Sequence, residues 1–298
     1  MDLTLGPIQF FWEETRIRDF YARMADEAPV ARVVIGELVC SKRLPFWQHE
    51  IPAAVERLRA AGKEVLLTSL ALITLKRERQ MTAELAEAGA MVEVNDLTAL
   101  AHLPAGTGFA VGPLVNVYNE ATLRWLAGRG AKRVCLPPEM KPASVALLAA
   151  EAARLGVAVE VWGFGRLPLA ISGRCYHARL HERAKDSCQF VCNLDPDGRR
   201  VDTLDGQQFL AVNGVQTLSA ATAFAGGDLE RLRAAGVTSL RLSPQAGDMV
   251  ALARAFAAAL DGSGTAADLE AAARAAAPDG HLANGYLRGQ AGADWVAA

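Results

Sequence analysis

No stretch of 18 or more apolar residues free of charge occurs, so the sequence offers no membrane-spanning helix; even ALARAFAAAL (251–260) carries Arg254. Neither sign of charge dominates. The 31 Lys and Arg against 33 Asp and Glu leave a formal charge of −2, which argues against a global basic field for nucleic acid or anionic membrane. No G-x-G-x-x-G follows the first apolar run and no G-x-x-x-x-G-K-[ST] occurs, so the dinucleotide and P-loop forms of an open α/β sheet lose support. There is no internal repeat, and no Ser-His-Asp order stands out. The opening stretch MDLTLGPIQFFWEE has neither a basic segment nor an apolar stretch before a cleavage site, so the expectation is a chain without a signal peptide, working in the cytoplasm. Cysteine is scarce and odd in number, at five, which in a reducing compartment reads as ligands or buried thiols rather than disulfides.

What is present is a long alternation of short β-branched runs with helical patterns, in 298 residues that are 51% hydrophobic. Strands are expected near Leu3–Phe10, Arg32–Gly36, Glu64–Thr68, Met91–Val94, Gly108–Val111, Arg133–Leu136, Val157–Trp162 and Ser239–Ser243. Between them IRDFYARMADEA, IPAAVERLRAAG, KRERQMTAELAEAG, NEATLRWLAGRG and ASVALLAAEAARLG repeat apolar residues at three- and four-residue spacing. Several close on glycine (Gly62, Gly89, Gly130, Gly156), and Asn119 has the character of an N-cap. Eight strand–helix units predict an α/β fold, a (β/α)8 TIM-like barrel, with an open doubly wound sheet as the alternative. The alternation breaks between the seventh and eighth strands. There, residues 171–236 read as an insertion, with turn signals at Asp197-Gly198 and Asp205-Gly206 and a helical piece, GDLERLRAAG. The whole of 1–298 is read as one barrel domain, with 262–298 as a C-terminal extension.

Four cysteines organise the chain: Cys40 in GELVCSKR, then Cys175, Cys188 and Cys192 spaced C-x12-C-x3-C inside the insertion. The last three lie among Arg, His, Lys and Asp, where a sulfur has no apolar surface to fill. Cys135, in the apolar run RVCLPP, reads as an ordinary core thiol. Strands two and seven stand three steps apart, roughly 14 Å, so their loops rather than their ends would have to meet. Ordinary thiols, a four-thiolate zinc site and a [4Fe-4S] cluster all remain open on spacing alone, because zinc sites favour tight C-x2-4-C pairs and clusters accept scattered ligands. Lys42, Arg43, Arg174, Arg183 and Lys185 crowd these cysteines and would favour an anionic centre.

The stretches LGPIQFFW, GELVCSKR, SLALITL, NVYNEATL, GFGRLPLAISGRCYHARLHERAKDSC and FLAVNGVQTLS together resemble the collagenase-like, unassigned-peptidase family over nearly the whole chain. The resemblance implies a barrel-type protein in which Cys40, Cys175, Cys188 and Cys192 ligate a [4Fe-4S] cluster. It implies work beside a UbiU-like sister protein as a heterodimer, and with a UbiT-like lipid carrier. The reaction implied is O2-independent (anaerobic) hydroxylation of a quinone precursor in ubiquinone biosynthesis. Other family members point to hydroxylation of RNA bases as an alternative, which the near-neutral charge disfavours. A non-catalytic scaffold with a structural cluster or zinc is the third reading.

Peptidase chemistry is rejected on residues. Collagenase-like members resemble E-x-F-x-H-G-x-L-C before the S-G-R-C stretch, and here Phe164 stands at the histidine position and Pro168 at the cysteine position. His177 and His181, four apart, read as groups beside the cysteines, and Phe46 and Trp47 as helix-start packing or a partner face. No catalytic acid–base set is legible.

Overall fold

Eight parallel strands close on themselves in the computed structural model, which describes residues 1–297 and leaves Ala298, the last residue of the expected extension, outside the described residues. They are β1 (Asp2–Leu5), β2 (Arg32–Ile35), β3 (Glu64–Thr68), β4 (Met91–Val94), β5 (Phe109–Val111), β6 (Ala131–Cys135), β7 (Ala158–Ile171) and, after the insertion, β11 (Ser239–Leu242). Each pairs in parallel with the next, and β11 pairs with both β7 and β1, so the ring has no open edge. The expected eight-stranded barrel is therefore the fold, and the open sheet is not.

Helices α1 (Glu14–Asp26), α2 (Ile51–Ala60), α3 (Lys76–Glu87), α4 (Glu120–Gly128) and α5 (Pro142–Leu155) cover the barrel where the 3.6-residue pattern puts them. The Asn119 side chain accepts from the Thr122 amide at 2.9 Å, capping α4 as its position implies. Between β4 and β5 the crossover holds only a short 3-10 turn, Leu97–Ala101.

Two strands differ from the sequence reading. The first ends at Leu5 rather than Phe10, because Gly6 makes the last ladder bond, to the Leu242 carbonyl at 2.8 Å, and Pro7 has no N–H to continue it. The seventh runs fourteen residues, far past Trp162, because it changes partners. Up to Phe164 it lies parallel to β11; from Phe164 to Ile171 it pairs antiparallel with β10 (Gln216–Phe224). Gly165 sits at the changeover with φ +125°, and a Cβ there would come within 2.5 Å of the Ser243 Cβ.

The insertion is thus an antiparallel sheet grown directly from a barrel strand: β7, β10, β9 (Gln208–Asn213) and β8 (Arg199–Asp202). The Asp205-Gly206 turn joins β8 to β9. The short helix α6 (Tyr176–Leu180) precedes this sheet and α7 (Leu229–Ala234) follows it. Beyond β11, α8 (Met249–Asp261) and α9 (Ala266–Ala276) pack on each other, then β12 (Leu282–Ala283) adds to β10 and α10 (Gly285–Arg288) closes the described chain. Among the described residues no helix is long and apolar enough to cross a membrane.

The barrel interior is not uniformly apolar. Arg241 on β11 donates to Glu93 on β4 and to Glu160 on β7, and all three are almost wholly buried. Burial alone would raise the Glu160 pKa, but the Arg241 guanidinium holds it below the ordinary carboxylate value. Asn95 donates to both Glu93 and Thr68 at 3.0 Å. Removing the cation would strand two buried carboxylates. Arg241→Met is expected to cost about 3–5 kcal/mol of unfolding free energy, read by urea denaturation; a loss below about 1 kcal/mol would mean that water reaches the pair.

Candidate functional site

The loop after β2 turns back on itself through Glu37, whose Oε1 accepts from the amides of Val39 (2.8 Å) and Cys40 (3.0 Å). This presents Cys40 at the C-terminal end of the barrel, the end where barrel enzymes carry their functional groups. Cys175 follows β7 by four residues and opens α6, its Sγ accepting from the Ala178 amide at 3.4 Å. Cys188 ends one 3-10 turn and Cys192 lies in the next, Val191–Leu194. Gln189 and Phe190 between them both hold positive φ, at 48° and 55°, which folds the two cysteines back toward the barrel.

Cys40, Cys175, Cys188 and Cys192 line one pocket, with Arg43, His177, Phe190 and Gly214. The loops close the expected gap between strands two and seven through specific contacts. Lys42 reaches from the Cys40 loop to the Lys185 carbonyl (2.8 Å) and the Asp186 carboxylate (3.0 Å). Cys135 is elsewhere, buried on β6.

Arg43 is the group that spacing alone did not single out. It is 1% exposed, and it donates to the Gln9 carbonyl and to Asn213 Oδ1, both at 2.9 Å. Its guanidinium also lies over the Phe11 ring at 5.8 Å. Its Nε has no partner, and among the described residues no carboxylate lies within 4.0 Å of it. Burial alone would lower its pKa, but the Cys192, Glu37 and Cys40 side chains facing it raise it. Gly214, at φ +61°, gives it room: a Cβ there would stand 2.8 Å from Nη2. The signal in the sequence was only a Cys-Ser-Lys-Arg run, which reads equally well as a solvated basic loop.

Burial raises the pKa of Cys40, Cys175 and Cys192, with Arg43 working against it at Cys40 and Cys192. The pocket therefore pairs thiols with a buried cation whose acidic neighbour, Glu37, acts on it through charge and not through a direct ion pair, so a further anion would be stabilised there. Four thiolates around an iron–sulfur cluster supply such an anion, and the donor set fits it. A single zinc held by four thiolates at ~2.3 Å would set sulfurs about 3.8 Å apart. Among the described residues, the groups of three or more potential ligand atoms lying within 4.8 Å of one another are His177, His181 and Asp195, and Glu14, His49 and Glu50. No three of the cysteine sulfurs among the described residues fall within 4.8 Å of one another.

Above β1 and β11 the barrel end is filled by amides. Gln9 donates to Ser243 (3.0 Å) and accepts from Gln216 (2.9 Å), while Asn213 donates to the Gln9 carbonyl (2.7 Å) and to Gln216 (3.0 Å). Asn213 and Gln216 come from the insertion. The expected partner-face aromatics divide: Trp47 is buried, whereas Phe46 is about half exposed and packs edge-on against Phe11 and Phe190. Phe164 is fully buried and Pro168 lies within β7, so neither position offers a base or a nucleophile.

A family model described as peptidase family U32 matches residues 13–297. Among solved structures the chain is similar to a mandelate racemase/muconate lactonizing enzyme-like protein from Rubrobacter xylanophilus (16% identity, 54% of this chain and 46% of that one, TM-score 0.37). It is also similar to N-isopropylammelide isopropylaminohydrolase from Burkholderia multivorans (13% identity, 92% and 72%, TM-score 0.44). A third is an enolase, a putative galactarate dehydratase from Agrobacterium radiobacter (14% identity, 74% and 60%, TM-score 0.34). The chain thus spans less than two thirds of the first and third of these proteins.

The Lys42–Asp186 bridge is largely open to water, so Lys42→Ala is expected to change global stability by less than about 1 kcal/mol. The same substitution should speed amide exchange across residues 185–192; unchanged exchange there would mean that the cysteine segment is held without it.

Proposed function

The chain belongs to peptidase family U32, and from that premise we propose that it is an iron–sulfur protein of the UbiV kind. It works with a UbiU-like sister protein in O2-independent hydroxylation of ubiquinone precursors, and not as a peptidase. The observation that carries the reading is that four thiols line one pocket with the buried Arg43 cation, which has no directly bonded carboxylate. Cys40, Cys175, Cys188 and Cys192 would hold a [4Fe-4S] cluster there. When bound, such a cluster supplies one-electron transfer or a site for an activated oxygen donor.

The chain's own residues do the rest. The Ala178 amide donates to the Cys175 sulfur, and Arg43 and Lys42 place positive charge beside the thiolates. Phe11, Phe46 and Phe190 form an aromatic group beside the pocket, with centroids 4.7–5.8 Å apart. A scaffold role, with the reaction carried out by the partner, draws on a different observation: the barrel end that usually receives substrate is filled by Gln9, Asn213, Gln216 and Ser243.

Anaerobically purified protein is expected to be brown, to absorb near ~400 nm, and to contain about four iron and four sulfide per chain. Alanine at Cys40, Cys175, Cys188 or Cys192 should abolish that content, and Cys135→Ala should leave it intact. Colourless protein holding one zinc would overturn the reading. Arg43→Met is expected to shift the midpoint potential of the centre to more negative values in a redox titration, since a buried positive charge favours the reduced form. If Cys188→Ala still folds and binds its partner but loses the hydroxylated product, the centre is functional; retention of product points to the scaffold role.

A further inference from the structure

A second constellation lies beside the cysteines and uses none of them. His177 and His181 are spaced i, i+4 across α6 and its C-terminal end, with rings stacked nearly parallel (6°) and centroids 5.8 Å apart. The 3-10 turn carrying Cys192 leads into Asp195, whose Oδ2 stands 2.9 Å from His177 Nε2. One ligand atom from each of the three residues falls within 4.8 Å of the others.

A His–Asp hydrogen bond accounts for only part of this. It leaves His181 Nε2 buried without a partner; His177 Nδ1 is unpartnered too, but it lies on the far side of the ring from Asp195 and would not be the ligating atom. Leaving such groups unmade is costly. The Asp195 Oδ1 atom faces Arg199 at 3.7 Å, which leaves Oδ2 directed to the histidines. Ligands about 2.0–2.2 Å from one tetrahedral ion stand roughly 3.4 Å apart, so the 2.9 Å separation is that of a shared proton and would open by about half an ångström around a metal.

We propose that His177, His181 and Asp195 form a second metal site, binding one divalent first-row transition ion, independent of the cysteine centre. Two imidazoles and one carboxylate suit zinc or ferrous iron rather than magnesium or calcium. Three protein ligands leave coordination positions free for water or a small oxygen ligand.

The test uses zinc as the probe. Iron-loaded protein is dialysed against micromolar zinc chloride and then against zinc-free buffer, and iron and zinc per chain are measured by elemental analysis. The expected result is about one zinc beyond the iron, lost in His181→Ala and in Asp195→Asn while iron content stays unchanged. Affinity in those variants should fall by more than the roughly 10–100-fold typical of losing a supporting group around a metal site. Equal zinc in wild type and both variants would overturn the site, as would no zinc retained by wild type. Iron lost along with zinc in both variants would also overturn it, because the histidines would then serve the cysteine centre. His181 is only part-buried and Asp195→Asn is isosteric, which keeps the test from resting on a misfolded chain.

Discussion

One buried cation holds three separate stretches of chain in register. Arg43 takes the carbonyl of Gln9 from the segment after β1 and the amide oxygen of Asn213 from the insertion, while its own loop presents Cys40. Its two hydrogen bonds satisfy part of the guanidinium but not its charge. That charge faces Cys192, Glu37 and Cys40. As a set of neutral thiols the pocket leaves that charge without a directly bonded anion. The constraint acts on geometry as well, since Gly214 must stay without a side chain for Arg43 to lie where it does.

Polar groups continue from that pocket toward the barrel axis. The amides of Gln9, Asn213 and Gln216 bond to one another and to Ser243, and deeper in the barrel Arg241 pairs with Glu93 and Glu160. Barrel interiors are ordinarily layered with branched apolar side chains. Here the apolar packing lies largely between the outward strand faces and the helices, as with Ile35, Leu67, Val94 and Leu242 in the main core.

The barrel was legible because each strand announces itself as a β-branched run closed by a helix, and glycine and Asn119 mark where the helices begin and end. The four cysteines stood out because their sequence neighbours are charged, and they do line one pocket; the expectation that they lack apolar surroundings does not hold, since Cys40 and Cys175 pack against Leu38, Val39 and Val215. The interior charges were not singled out, although Glu93 in MVEV, Glu160 in VAVEVW and Arg241 in SLRLS each interrupt an apolar strand. A charge inside such a run marks an inward position with a partner across the barrel, yet no local pattern says which partner. Arg43 was harder still, because its meaning comes from Gln9 and Asn213, 34 and 170 residues away. The true length of β7 was hidden for the same reason: its second half is a strand only because β10 arrives beside it.

That shared strand has a mechanical consequence. A module joined to its host by a flexible linker can swing; one that continues a strand of the host has no hinge of its own. Motion of the insertion relative to the barrel would have to twist the backbone at Gly165 against the close approach of Ser243. Cys175, four residues beyond β7, therefore inherits the stiffness of the barrel wall. The more pliable side of the pocket is the 182–192 segment, where left-handed turns rather than sheet bonds shape the path. Any opening of the centre to reagents or to a partner would start from that side, leaving the Cys40 and Cys175 side as the fixed jaw.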